Sequence, residues 1–127
     1  MAYRFQRHYT RDEARGLLAQ VREWLKRMVQ LHGELEKLDK RLNGLMAPGR
    51  DLGGESVNAW VRTLADLDAV LHEFQQREIQ LKDVDRGLVD FPAIIGGKEV
   101  FLCWEQDEAD FEFWHELDGG YAGRERL

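Results

Sequence analysis

The sequence predicts an α+β protein in which a long antiparallel two-helix hairpin, coiled-coil-like, packs on a small antiparallel β-sheet of three to four strands. Three observations predict it: a heptad seam sustained over residues 14–45, a second seam over 57–74 beyond a proline- and glycine-rich connection, and two apolar runs flanking Gly96-Gly97. At 127 residues the chain is the size of one domain. The expected organisation is a short strand at 1–9, a helical hairpin at 10–80 with its loop at 46–56, a β-meander at 81–118 and a tail at 119–127.

Tyr3 and Phe5 alternate with Arg4, Gln6 and His8, the period of a half-buried strand. Thr10 and Glu13 then match a capping box, so the first helix should begin at Arg11. Ala14, Val21, Met28, Leu35 and Leu42 recur every seven residues, with Leu17, Trp24, Leu31, Leu38 and Leu45 at the second seam position. A partner helix is implied. Met46 to Ser56 holds Pro48, Gly49, Gly53 and Gly54, which break the helix. Val57, Leu64 and Leu71 with Trp60, Leu67 and Phe74 then form the seam of a second helix, expected over Val57 to Ile79. At 1.5 Å per residue the helices span ~52 and ~35 Å. The first turns of the longer one, with Ala14, Leu17, Leu18 and Val21, therefore overshoot the shorter and need another apolar surface.

A sheet should supply it. Gly96-Gly97 as a two-residue turn pairs Ile95 with Lys98 and hence Phe91 with Leu102. Val89, Phe91, Ala93, Val100, Leu102 and Trp104 then share a core face, and Pro92, without an amide hydrogen, predicts an edge strand. A third strand is expected over Asp110 to Glu116, with Glu105 opposite Asp110, so that Phe111, Phe113 and His115 join the core face.

With 43% hydrophobic and 33% charged residues, the composition is that of a folded soluble protein. No apolar run approaches the ~20 residues that cross a bilayer, and MAYRFQRHYT lacks a secretory signal's apolar stretch, which predicts a cytoplasmic protein without membrane partners. Cys103 is the only cysteine, so neither an internal disulfide nor a CxxC zinc pattern exists. Residues 1–50 hold 11 Lys/Arg and 6 Asp/Glu and residues 51–127 hold 7 and 18, giving +5 and −11, which sum to the net −6. The acidic half argues against nucleic acid as a partner. Opposite faces that attract within the chain or between subunits fit better.

Chemistry-bearing residues concentrate between Leu81 and Arg124. In the expected register Asp90, Cys103 and Glu112 form a row on the sheet's second face, suited to a divalent cation, against a plain reading as an acidic surface with a small apolar filler. Asp83 and Asp85, with Asp90, could aim carboxylates at the same cation, or cap a turn that Gly87 bends. His115, at the end of the core face, and Arg124, in the glycine-rich tail, are candidates for catalytic assistance. Cys103 and His115 are expected on opposite faces, which would preclude a Cys/His nucleophile.

LKDVDRGLVDFPA at 81–93, VFLCW at 100–104 and FWHELDGGYAGR at 113–124 resemble the prokaryotic domain-of-unknown-function family 2203, and the capped, leucine-rich first helix fits the same family. The resemblance implies that Asp83, Asp85, Gly87, Asp90, Cys103, Trp104, His115, Gly120 and Arg124 belong to the family's characteristic pattern; it implies no activity, substrate or cofactor.

The long seam and the opposed charges favour a non-enzymatic structural or protein-interaction module that self-associates into a homo-oligomer. The alternative is a metal-dependent, hydrolase-like enzyme with a divalent cation among the carboxylate, Cys and His residues of the β region. Basic residues of the first helix contacting nucleic acid rank last, because glutamates interrupt them.

Overall fold

The computed structural model describes residues 2–45 and 54–127. Two helices, α1 (Arg11–Leu45) and α2 (Gly54–Gln75), precede an antiparallel sheet of β1 (Gln80–Asp83), β2 (Leu88–Ile95), β3 (Lys98–Glu105), β4 (Phe113–Glu116) and β5 (Glu125–Arg126). The strands lie in the order β1-β2-β3-β4-β5, each beside its sequence neighbour. The sheet thus has five strands rather than three or four. The connection expected at 46–56 falls mostly outside the described residues, and Gly54, Glu55 and Ser56 are already helical.

Helix α1 starts where the capping box requires. Thr10 Oγ1 accepts from the Glu13 amide at 3.1 Å, and the Glu13 carboxylate accepts from the Thr10 amide at 2.9 Å. Helix α2 runs antiparallel to it, since Trp24 meets Phe74, Arg27 pairs with Asp66 and Trp60 donates to Asp39. It stops four residues before Ile79. Glu78 adopts φ 58, the Ile79 amide donates back to the Phe74 carbonyl at 3.1 Å and the Glu78 amide to the Gln75 carbonyl at 3.0 Å, with Phe74 and Ile79 both buried. This is a Schellman stop with glutamate in the left-handed position that glycine usually takes.

Along the proximal half of α1 the fully buried line is Ala14, Leu18, Val21, Leu25 and Met28, while Leu17 and Trp24 are half-buried. The stripe is wider than the seam because the helix has two partners there, α2 on one side and the sheet on the other. Val89, Phe91, Ala93, Val100, Leu102 and Trp104 meet it as one core. At the far end, among the described residues, the two helices face each other, and Leu35, Leu38, Leu42, Val57, Trp60 and Leu64 stay half-buried.

The β2–β3 hairpin has the expected register, Ile95 opposite Lys98 and Phe91 opposite Leu102, with positive φ at Gly96 and Gly97. Three further expectations fail. No strand forms over Tyr3 to His8: the Arg4 and Phe5 amides donate to the Glu99 carboxylate, and those of Gln6 and Arg7 to Glu78. Side-chain carboxylates replace a ladder.

Second, β2 is not an edge strand, because β1 covers it from Leu88 to Asp90. Pro92 lies beyond that pairing, and its carbonyl accepts from the Tyr9 amide at 2.7 Å. Its imide nitrogen points to the same side, so the missing hydrogen breaks no ladder bond.

Third, β4 pairs one residue away from the expected register. Cys103 lies opposite Phe113, and Phe101 opposite His115. Glu105 faces Leu88 rather than Asp110, which instead binds Arg15. Phe111 still enters the core and Trp114 packs against it, a spacing of three that no regular strand allows; the chain before Phe113 is accordingly irregular.

Candidate metal centre

Because side chains alternate between faces, the one-residue displacement of β4 moves His115 off the helix-facing side. It arrives beside Asp90 and Cys103, which oppose each other on β2 and β3. Each of the three is at most 2% exposed. One Asp90 oxygen, Cys103 Sγ and one ring nitrogen of His115 lie within 4.8 Å of one another.

His115 Nδ1 is 2.7 Å from the Glu116 carbonyl, which can only accept, so Nδ1 carries a hydrogen. Nε2 then faces Asp90 Oδ2 at 2.9 Å, and a single proton lies between the two. The other oxygen, Asp90 Oδ1, is sealed from solvent and meets no nitrogen or oxygen donor, the Cys103 thiol being the one weak donor beside the carboxylate. Burial raises the Asp90 carboxyl above the usual range, against the opposing charge of His115. Burial and then the Asp90 carboxylate push the Cys103 thiol up to about 12, so it is protonated at neutral pH. With both ring nitrogens of His115 committed and the thiol unactivated, the trio is not a cysteine nucleophile with its base.

The donor set matches a borderline metal such as zinc: one carboxylate oxygen, one sulfur and one imidazole nitrogen. The bond from Nδ1 to a backbone carbonyl fixes the tautomer that leaves Nε2 for a ligand role. Arg124 approaches Cys103 Sγ to 3.9 Å and Glu108 to 3.2 Å, its guanidinium lying 3.9 Å from the ring centroid of Phe113 and 4.3 Å from that of Tyr121. It would donate to a thiolate formed on metal binding, its own charge being met by Glu108. Beside the trio lies a cleft of about 250 Å³ walled by Leu88, Leu117, Gly120 and Tyr121, with Lys82 and Asp118.

Of the sequence-derived candidates, the structure brings together Asp90, Cys103, His115 and Arg124. Asp83 accepts from the Arg86 amide at 3.0 Å in the β1–β2 turn, Asp85 is exposed in that turn, and Gly87 takes φ 64 there. Glu112 is exposed, and its carbonyl accepts from the Leu127 amide at 2.9 Å. Lys82, Glu108, Tyr121 and the Glu116 carbonyl were not foreseen. One signal was available: VFLCW, Val100 to Trp104, is apolar without alternation, the mark of a strand covered on both faces. The covering comes from Phe5, 5.4 Å from Phe101, and from the tail, where a 3₁₀ turn at Tyr121–Gly123 leads into β5.

Among the described residues no helix is long and apolar enough to cross a membrane. No curated protein and no solved structure matches the chain. One family does, described as "Uncharacterized conserved protein (DUF2203)", and the match covers residues 7–127. Strand, turn and tail all lie within that match, and the chain belongs to the DUF2203 family of uncharacterized conserved proteins.

Proposed function

We propose that the protein binds one zinc-class divalent cation through Asp90, Cys103 and His115, and that this centre is its working site. The observation that carries the reading is Asp90 Oδ1, a buried carboxylate oxygen with no nitrogen or oxygen donor, set beside the weak donor of the Cys103 thiol and an imidazole nitrogen. Leaving such an atom unsatisfied costs ~1–3 kcal/mol, more if charged, and a cation would remove that cost. Binding would release the thiol proton and the proton held between Asp90 and Nε2. Three protein ligands leave a tetrahedral cation one open position, the arrangement of hydrolytic rather than purely structural zinc. A metal-dependent hydrolase therefore moves ahead of the non-enzymatic module. A thiol ligand also fits a reducing compartment such as the cytoplasm.

The test is elemental analysis of protein purified without chelator. About one equivalent of metal is expected, lost on Asp90→Asn and on Cys103→Ser. Metal-free protein whose melting temperature ignores added Zn²⁺ and Co²⁺ would defeat the proposal.

Self-association is the second reading. It is supported by Val29 and Val61, 49% and 52% exposed on α1 and α2, and by the half-buried seam of the distal hairpin.

A further inference from the structure

Resting on the metal reading, we infer that the open position takes a small oxyanion, a carboxylate or phosphate group, and that Lys82 is the residue that positions it. Lys82 lines the cleft beside Asp90, Cys103 and His115. Its ammonium lies 5.6 Å from the ring centroid of Phe101, whose ring is 5.5 Å from that of His115. Among the described residues no carboxylate pairs with it, although most cationic groups around the sheet's outer face have one: Arg124 has Glu108, Arg86 has Glu105 and Lys98 has Glu116. Asp118, also in the cleft wall, is paired with Arg4 at 3.3 Å.

The charges of the loaded site point the same way. A dication held by the Asp90 carboxylate and the Cys103 thiolate is neutral in sum, His115 adds nothing as a neutral ligand, and Arg124 is offset by Glu108. The Lys82 charge is left over at the mouth of a cleft with leucine walls. An anion with one oxygen on the cation and another on the ammonium completes the balance, lysine acting as a point charge for such groups. The cleft offers about 250 Å³ and opens to solvent. That admits phosphate, a short carboxylic acid, or the charged end of a larger molecule.

Co²⁺ is the probe, because its visible absorption reports the ligands in a tetrahedral site. Metal-free protein is loaded with Co²⁺ and titrated separately with inorganic phosphate and with acetate. Saturable change of the ligand-field bands is expected, and the anion that binds more tightly tells which of the two groups the site prefers. Lys82→Gln should weaken that anion about tenfold, equivalent to the loss of one ~1.4 kcal/mol contact. Its Co²⁺ affinity should not fall, and Lys82→Arg should restore anion binding. Bands that neither anion moves, or equal anion affinity in wild type and Lys82→Gln, would overturn the inference while leaving the metal reading intact. Failure to bind Co²⁺ at all would overturn both.

Discussion

Asp90 sits at the junction of two incompatible demands, because the same carboxylate that faces Nε2 of His115 is buried with one oxygen that meets no nitrogen or oxygen donor. Its folded-state carboxyl is raised, chiefly by burial, so it favours the protonated form. In metal-free protein its contribution to stability is complete below the ordinary carboxylate range and is lost as pH rises through the raised value. Asn at this position can donate to Nε2 as the protonated acid does. Asp90→Asn should therefore keep the fold and flatten that pH slope, measured by urea unfolding across the acid and neutral range; an undiminished slope would show that another group is responsible. Cys103 acts at the other extreme. Its thiol ionises near its ordinary 9.0 when unfolded and at about 12 when folded, so metal-free protein should lose stability as pH climbs through that interval. Cys103→Ala should remove this component, and identical alkaline limbs in the two proteins would contradict it.

At the level of elements, what was legible followed from local chemistry. The Thr10–Glu13 box, the Gly96-Gly97 turn and the core face of β2 and β3 each depend on neighbouring residues, and each stands where the spacing placed it. Strand β4 depended on a turn of undetermined length. FEFWHEL offers one apolar alternation, Phe111-Phe113-His115, with Trp114 alone between glutamates on the other parity, and the fold brings both Phe111 and Trp114 to the core by breaking the strand between them. The site was half legible for the same reason: Asp90 and Cys103 lie on the well-specified hairpin, while His115 came with the displaced strand. Thr10→Ala should cost ~1 kcal/mol in denaturant unfolding, with Thr10→Ser nearly neutral; equal loss in both would remove the capping explanation. Glu78 tests a different trade. Glu78→Gly relieves a left-handed residue but releases the Gln6 and Arg7 amides. Stability should change by less than about 1 kcal/mol, while trypsin should cut at Arg4 and Arg7 faster. Unchanged cleavage would mean that the carboxylate does not hold the segment.

Across the whole molecule, the opposite charges of the two halves meet inside the chain. Arg11 and Arg15 converge on Asp110, holding its carboxyl at about 2, foremost through the Arg15 hydrogen bond; Arg4 reaches Asp118 and Arg22 donates to the Glu108 carbonyl. The charge division thus joins helix to sheet and is not by itself an argument for assembly. If the distal hairpin does pair with a second copy, light scattering through a dilution series should show dimer giving way to monomer, with Val61→Glu monomeric throughout. A monomer at every concentration would end that reading. The sheet adds a constraint on any partner. Its outer strands are short: β1 has four residues, with a register irregularity between Leu81 and Asp83, and β5 has only Glu125 and Arg126, both exposed. An extended peptide needs a longer row of free amides and carbonyls to annex itself to a sheet. Strand addition at β1 or β5 therefore has little ladder to build on, and recognition at these two edges falls to side chains.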